Sequence, residues 1–395
     1  MARLNVESST ATHMTVDGRE LLAFGGCNYL GLAHHPAVLG AVREGLAKFG
    51  ISTTASRETT GNTNVHEALE RELAAFIGQE AAILTAEGYT ANIAIAQALC
   101  ARHGVALIDS RAHRSLRSAA TSAGMQVFEY EHLNPDSAAW LVRQYGDQGI
   151  ALFTDGVFAA DGAVAPVADL LAILPKQRST LIVDDCHGVC VLGELGRGTV
   201  SEAGLNDPRV CITTTLAKGF GCYGGAVLGR RALIDQVREN ADVYRRSTPA
   251  PTPIAMAVRA ALGVMQRETE LTALLRRNTA AMRQILTDLD IELSDVAINT
   301  SSRLQPPLQA GGSGGTATLT APTTAADRVP IFTFSLESRE TMERVHRELL
   351  DAGVYAPFIE YPGGPTPMFF RLTVSAKHTL DHLQRLGAEL RRALG

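Results

Sequence analysis

Seven short apolar runs constrain this chain more than any other feature. They lie at 81–85, 105–109, 126–130, 150–154, 180–184, 210–214 and 226–229, and helical or loop stretches separate most of them. Each is of strand length. Runs of this kind joined mostly by crossovers predict an α/β architecture, with a largely parallel sheet covered by helices on both faces. Between 66 and 77 the pattern changes to a helical period, with Leu69, Leu73, Phe76 and Ile77 on one face. Asn64 is the expected cap of that helix, with Glu67 three residues on and Gly78 as its stop.

In open parallel sheets, ligands bind at the carboxyl ends of the strands. Polar residues cluster there: Asp109, Asp155, Asp184 and Thr213–Thr215 each close an apolar run. Beyond the sheet, 253–289 reads as long and helical. Strands are expected at 329–334 and 369–374, and helices at 338–352 and 379–394. The expected organisation is an N-terminal arm over 1–45, a large domain over 46–285 and a small α+β domain over 286–395. Residues 305–325, rich in Gly, Pro, Ser and Thr, read as a flexible insertion in the small domain.

Composition excludes several classes of function. The net charge is −5 and no basic stripe carries interleaved aromatics, so nucleic acid is not an expected partner. No run of 18 apolar residues occurs, so no membrane span is expected. The first residues lack the apolar core of a signal peptide, and the six cysteines read as reduced thiols in a cytoplasm. The stretch Asp184-Asp-Cys-His-Gly-Val-Cys190 offers zinc-like ligands, but no second pair of matching spacing accompanies it. No metal site is expected.

Lysine is the informative residue. Of 36 basic residues only Lys48, Lys176, Lys218 and Lys377 are lysines. Lys218 sits in Thr213-Thr-Thr-Leu-Ala-Lys-Gly-Phe-Gly-Cys-Tyr-Gly-Gly225, just past a strand. A desolvated lysine, unlike arginine, can become an amine nucleophile toward a carbonyl. Pyridoxal 5'-phosphate is the common aldehyde partner, and its other demands can be met nearby. Asp184 can keep the ring nitrogen protonated, so that the ring acts as an electron sink. His187 can reach the 3-oxygen. Gly88 and Tyr89, opening an apolar helical run, can offer backbone N–H groups to the phosphate, and Thr215 a hydroxyl.

In these features the chain resembles the α-oxoamine synthases, over about residues 20–395 and in the family's order. The resemblance rests on Asn28-Tyr-Leu-Gly-Leu32 and on Gly50 to Arg57 with Gly61, His66 and Leu69-Glu70. It continues through Asp109-Ser-Arg-Ala-His-Arg-Ser115, Asp155-Gly-Val-Phe158, Val183-Asp-Asp-Cys-His-Gly188, Thr215-Leu-Ala-Lys218 and Arg371-Leu-Thr-Val-Ser-Ala-Lys-His378. It implies the fold type I of pyridoxal phosphate-dependent transferases, like that of aspartate aminotransferase, and a homodimer with the site between subunits. It also implies roles. Lys218 holds the cofactor and moves the α-proton, His113 stacks on the ring, and Asp184 and His187 hold its edge. Arg371 binds the substrate carboxylate, with Asn28 in the substrate-binding segment. Thr248, beside Ser247, reaches the partner's phosphate. The implied reaction condenses an α-amino acid with an acyl thioester, losing carbon dioxide to give an α-amino ketone.

Four features depart from the family pattern: Glu87 before Gly88, Ala159 where a serine is expected, Gly363 in place of a threonine, and the 305–325 insertion. Glu87 is expected to point away from the phosphate. The departures point to a specialised member, in secondary metabolism, whose thioester is unusual or carried on an acyl carrier protein rather than coenzyme A. Two other readings stay open at this point. One is an aminotransferase or other α-carbon reaction on the same cofactor; the other is a non-catalytic partner subunit. His66 is expected to be a helix-start residue only, and His103, His132 and His378 to be surface or packing residues. Arg57 is expected to pair with a carboxylate in the dimer core or serve the site, and Asp109 to cap a turn or serve the site.

Overall fold

A computed structural model describes residues 4–294, 324–361 and 366–395. Most of the 305–325 insertion, and Gly363, lie outside the described residues. All seven expected strands form and join one sheet. In spatial order they are Ala81–Thr85, Gly225–Gly229, Val210–Thr215, Ser179–Asp184, Ile150–Asp155, Val105–Asp109 and Gln126–Tyr130. Gly225–Gly229 runs antiparallel to both its neighbours, and the remaining contacts are parallel.

The strands read as continuous apolar runs because both faces are covered. Ile83, Ile108, Phe153, Ile182 and Val227 point to one side, against Ile95, Leu116 and Val237 of helices Gly88–Leu99, Arg114–Ser122 and Arg231–Asn240. Leu84, Leu107, Leu152, Leu181, Ile212 and Leu228 point to the other. There they belong to a core that includes Leu69 and Leu73 of helix Asn64–Ile77 and Val258 and Leu262 of helix Thr252–Arg267. Each fully buried aliphatic side chain contributes roughly 1.5–3 kcal/mol relative to exposure.

A third core holds Phe332, Phe334, Phe370 and Leu372 of a small antiparallel sheet, with Val345, Leu349, Leu383 and Leu390 of helices Arg339–Asp351 and Leu380–Leu394. Leu22 and Phe24 enter the same core from the beginning of the chain. Three N-terminal strands, Val6–Ser9, His13–Val16 and Arg19–Ala23, build a separate sheet with Val354–Tyr355. The sequence pattern did not reveal them: Val6–Ser9 is exposed throughout and carries no alternation of apolar and polar residues.

Two expectations need correction. The helix at 64–77 is capped by Thr63, not Asn64; the Thr63 hydroxyl accepts from His66 N–H at 3.4 Å. The long helix expected at 253–289 is two, Thr252–Arg267 and Glu270–Thr287, because Glu268 leaves helical geometry at φ −103°, ψ 63°.

Candidate active site

Parallel strands end together, and their last residues line up across the sheet. Asp155 pairs in register with Asp184, and Asp184 with Thr213. After Thr215 the chain turns sharply to carry Lys218 back over this edge. Leu216 N–H donates to Gly224 at 2.9 Å, and Gly221 N–H to Lys218 at 2.8 Å. Gly221 takes φ +65°, and a Cβ there would lie 2.2 Å from the Ala33 nitrogen. The glycines around Lys218 thus serve a turn packed too closely for side chains.

A cavity of about 250 Å³ lies over this edge. Gly88, Tyr89, His113, Asp184, His187, Thr215 and Lys218 line it, so seven residues chosen from sequence share one wall. Glu87, exposed at the start of the same helix, lines it as well. Gly88 starts its helix hard against the end of the next strand but one: an added Cβ would stand 2.8 Å from the Thr215 Cβ. The helix N-terminus and the Thr215 hydroxyl therefore face the same region, a suitable place for an anion.

The buried polar groups are held by one another. The Asp184 carboxylate accepts from Asn92 Nδ2 at 2.7 Å and from Cys186 N–H at 3.2 Å. Asn92 Oδ1 accepts from the Thr213 hydroxyl at 2.6 Å, which fixes the amide the right way round to donate. Asn92 Nδ2 also lies 3.0 Å from Ser115 Oγ, which contacts His113 Nδ1 at 2.8 Å. The His113 N–H donates to Asp155 at 3.1 Å. Burial pushes the Asp155 carboxyl well above the usual range, and the negative Asp184 adds to the rise. Burial lowers the His113 imidazole, an effect that Asp184 opposes and Lys218 reinforces. The Cys186 thiol is raised by burial and then by Asp184, so it stays protonated.

Lys218 Nζ lies 2.6 Å from His187 Nε2, and His187 Nδ1 lies 2.7 Å from the buried Tyr29 hydroxyl. Burial, then the cations Lys218 and Arg371, hold His187 well below its ordinary value. This donor set fits pyridoxal phosphate. A hydrogen-bonded carboxylate, a flat imidazole, a lysine amine and a helix N-terminus surround one cavity, and the carboxylate has no ion-pair partner among the described residues.

The comparisons with known proteins come to the same point. The sequence profile of aminotransferase class I and II matches residues 19–390. A protein of Thioalkalivibrio sulfidiphilus named 8-amino-7-oxononanoate synthase is 34% identical over 396 residues, 100% of this chain and 93% of the relative. One of the same name from Methylococcus capsulatus is 35% identical over 292 residues, 74% of this chain and 76% of the relative.

The chain belongs to the α-oxoamine synthases, within the aminotransferase class I and II family.

Its fold is the fold type I of that family. Serine palmitoyltransferase of Sphingomonas wittichii superposes with a TM-score of 0.85 at 24% identity, over 99% of this chain and 91% of that one. The 8-amino-7-oxononanoate synthase of Francisella tularensis superposes with a TM-score of 0.75 at 22% identity, over 95% and 98%.

Three residues chosen from the α-oxoamine synthase resemblance lie outside the cavity lining. Arg371 stands at its edge, its Nε donating to the carbonyl of Ala159, a lining residue, at 2.6 Å. Asn28 uses its side-chain oxygen to accept from Ala33 N–H at 3.3 Å. Thr248 is exposed.

Three of the other histidines are buried. His66 lies 2.8 Å from the Ala250 carbonyl, His103 contacts Thr180 at 3.2 Å, and His378 stacks on Phe24. Asp109 contacts His132 at 2.8 Å and accepts from the N–H groups of Arg111 and Leu133. Cys190 is buried in the core beside Met265. Three residues about the cavity were not singled out from sequence: Tyr29, Asn92 and Ser115. Asn92 carried a readable signal, a lone amide in the otherwise apolar run Ala91-Asn-Ile-Ala-Ile-Ala96.

Proposed function

We infer that the protein is a pyridoxal phosphate-dependent α-oxoamine synthase. It condenses an α-amino acid with an acyl thioester; the thiol and carbon dioxide leave, and an α-amino ketone forms. The observation that carries this reading is the meeting of Lys218, Asp184, His113 and His187 around one cavity in a chain of this family.

In this reading Lys218 would hold the cofactor through its aldehyde, and its amine would carry the α-proton of the substrate. Bound pyridoxal phosphate supplies the sink for the electron pair left at the α-carbon. Asp184, supported by Asn92, would hold the ring nitrogen. His113 would cover a ring face and His187 would face the 3-oxygen. The N–H groups at Gly88 and Tyr89, with the Thr215 hydroxyl, receive the phosphate. Arg371, anchored through Nε, offers its remaining N–H groups to the substrate carboxylate as a two-pronged donor, with Asn28 in the same segment of the site.

The protein acts as a homodimer, with Thr248 reaching the partner's phosphate. The exposed position of Thr248, away from its own subunit's cavity, supports this. Six free cysteines support a cytoplasmic setting. The thioester arrives on coenzyme A or on an acyl carrier protein, and offering one acyl chain in both forms distinguishes them. No helix among the described residues is long and apolar enough to cross a membrane.

The test is to offer the loaded protein a panel of amino acids with and without acyl thioesters. The expected result is thiol and carbon dioxide released in equal amounts, with a new α-amino ketone by mass spectrometry. Accumulation of pyridoxamine phosphate and a keto acid, with no thiol from any donor, would contradict it in favour of an aminotransferase.

A further inference from the structure

Tyr29 is 1% exposed, yet its hydroxyl is engaged in chemistry rather than packing alone. It lies 2.7 Å from His187 Nδ1, and the opposite nitrogen of the same ring lies 2.6 Å from Lys218 Nζ. Burial keeps the phenol well above its ordinary value and the imidazole well below its own. Both groups are therefore neutral at physiological pH. A neutral imidazole carries one proton, so whichever nitrogen donates, the other must accept.

The partner at Nε2 changes its demand during the function proposed above, on which this inference rests. A lysine ammonium is a donor only. Facing it, Nε2 must accept, and the ring proton sits on Nδ1. The oxygen of a bound cofactor is an acceptor. Facing it, Nε2 must donate, and Nδ1 must then accept. The residue at Nδ1 has to serve both cases. A carbonyl or carboxylate would fit only the first, and a cation only the second. A phenol hydroxyl donates or accepts by rotating its hydrogen.

The backbone holds Tyr29 in place for this. Its carbonyl accepts from Ala376 N–H at 2.7 Å, and Phe24 accepts from Thr373 N–H at 2.8 Å, so the segment is fastened to the strand that carries Arg371.

We propose that Tyr29 is a positioning residue whose hydroxyl follows His187 through both tautomers. It accepts from Nδ1 while Lys218 is a free ammonium, and donates to Nδ1 when Nε2 donates to the cofactor's 3-oxygen. Between the two states Nε2 gains a proton that the Lys218 ammonium gives up, and Nδ1 releases one to solvent by way of the Tyr29 hydroxyl.

The experiment is nitrogen NMR of protein labelled at histidine, first stripped of cofactor and then loaded with pyridoxal phosphate. His187→Asn identifies the signals. The expected result is a protonated Nδ1 in the stripped protein and a protonated Nε2 in the loaded one. Tyr29→Phe, which keeps the buried ring, removes a hydrogen bond present in both states, so cofactor retention is expected to change by less than about fivefold, the worth of one hydrogen bond. In Tyr29→Phe the Nδ1 nitrogen signal should shift in both states and in opposite senses, because Nδ1 loses a hydrogen bond it donates in the stripped protein and one it accepts in the loaded protein. The same tautomer in both states of the unsubstituted protein would overturn the inference, as would an Nδ1 signal that Tyr29→Phe leaves untouched in either state. Failure of the protein to take up pyridoxal phosphate would instead overturn the function itself, and this inference with it.

Discussion

Two buried polar regions of this molecule contrast in how their charges are resolved. The first lies beside a cavity of about 530 Å³, twice the size of the one around Lys218. There Arg57 Nη1 meets Glu70 at 2.8 Å, and Arg57 Nε donates to Asn62 at 2.6 Å. Glu70 also accepts from Leu84 N–H at 3.0 Å, and Arg238 lies 3.9 Å away. Charge answers charge within the protein. In the second region, Asp184 is held by a neutral amide and a backbone N–H, and Lys218 by a neutral imidazole. The larger cavity is thus the self-sufficient one. A buried charge left facing space and held only by neutral groups marks a place for a ligand, whereas a buried charge closed by its opposite marks architecture.

The contrast can be broken or sharpened by substitution. Lys218→Ala should abolish covalent cofactor attachment and lower kcat by at least about 10⁴-fold, measured as thiol release from the acyl donor. Asp184→Asn removes the charge reserved for the ring nitrogen. A fall in kcat of about 10²–10³-fold is expected, with faster loss of cofactor on dialysis. Arg57→Ala acts on the other region. It leaves Glu70 only the more distant Arg238 and the Leu84 N–H, and should cost up to about 3 kcal/mol in urea unfolding, while the visible spectrum of the cofactor in the folded protein keeps its shape. Equal losses of stability from Arg57→Ala and Lys218→Ala would erase the distinction between the regions.

A smaller effect separates two neighbouring carboxylates. Asp185, next to Asp184, turns away to accept from the Thr199 N–H at 2.7 Å and the Thr199 hydroxyl at 2.6 Å. Burial pushes it up to about 6, against the opposing effect of those hydrogen bonds. Between its ordinary value near 3.8 and about 6, the folded protein keeps a proton that the unfolded chain has lost. Folding is therefore favoured at the acid end of this window, and stability falls as pH rises through it. Asp185→Asn should flatten that slope by roughly 2–3 kcal/mol across the window, read from unfolding at several pH values. Asp155, also raised, contributes a slope of the same sign that this substitution leaves in place.

The large sheet was legible because its strands are buried on both faces, which leaves uninterrupted apolar runs. The lysine and the aspartate were legible because each sits at the end of such a run, where a polar residue has few other reasons to be. What escaped depends on contacts between distant positions. Asn92 meets Asp184 and Tyr29 meets His187 across 92 and 158 residues of chain. Nothing local to Tyr29 distinguishes a phenol that packs from one that holds an imidazole. The N-terminal strands escaped for a similar reason. Arg19–Ala23 finds its parallel partner at Val354–Tyr355, at the far end of the sequence. The break between the helices at 268 is a backbone turn without proline or glycine, and an apolar period continues across it.

The function rests on a single nitrogen, the Nζ of Lys218. Borohydride reduction of the pyridoxal phosphate-loaded protein, followed by proteolysis and peptide mass spectrometry, locates any lysine bound to the cofactor. The account predicts a phosphopyridoxyl group on Lys218 alone among the four lysines. A group on Lys48, Lys176 or Lys377, or none at all, would contradict it.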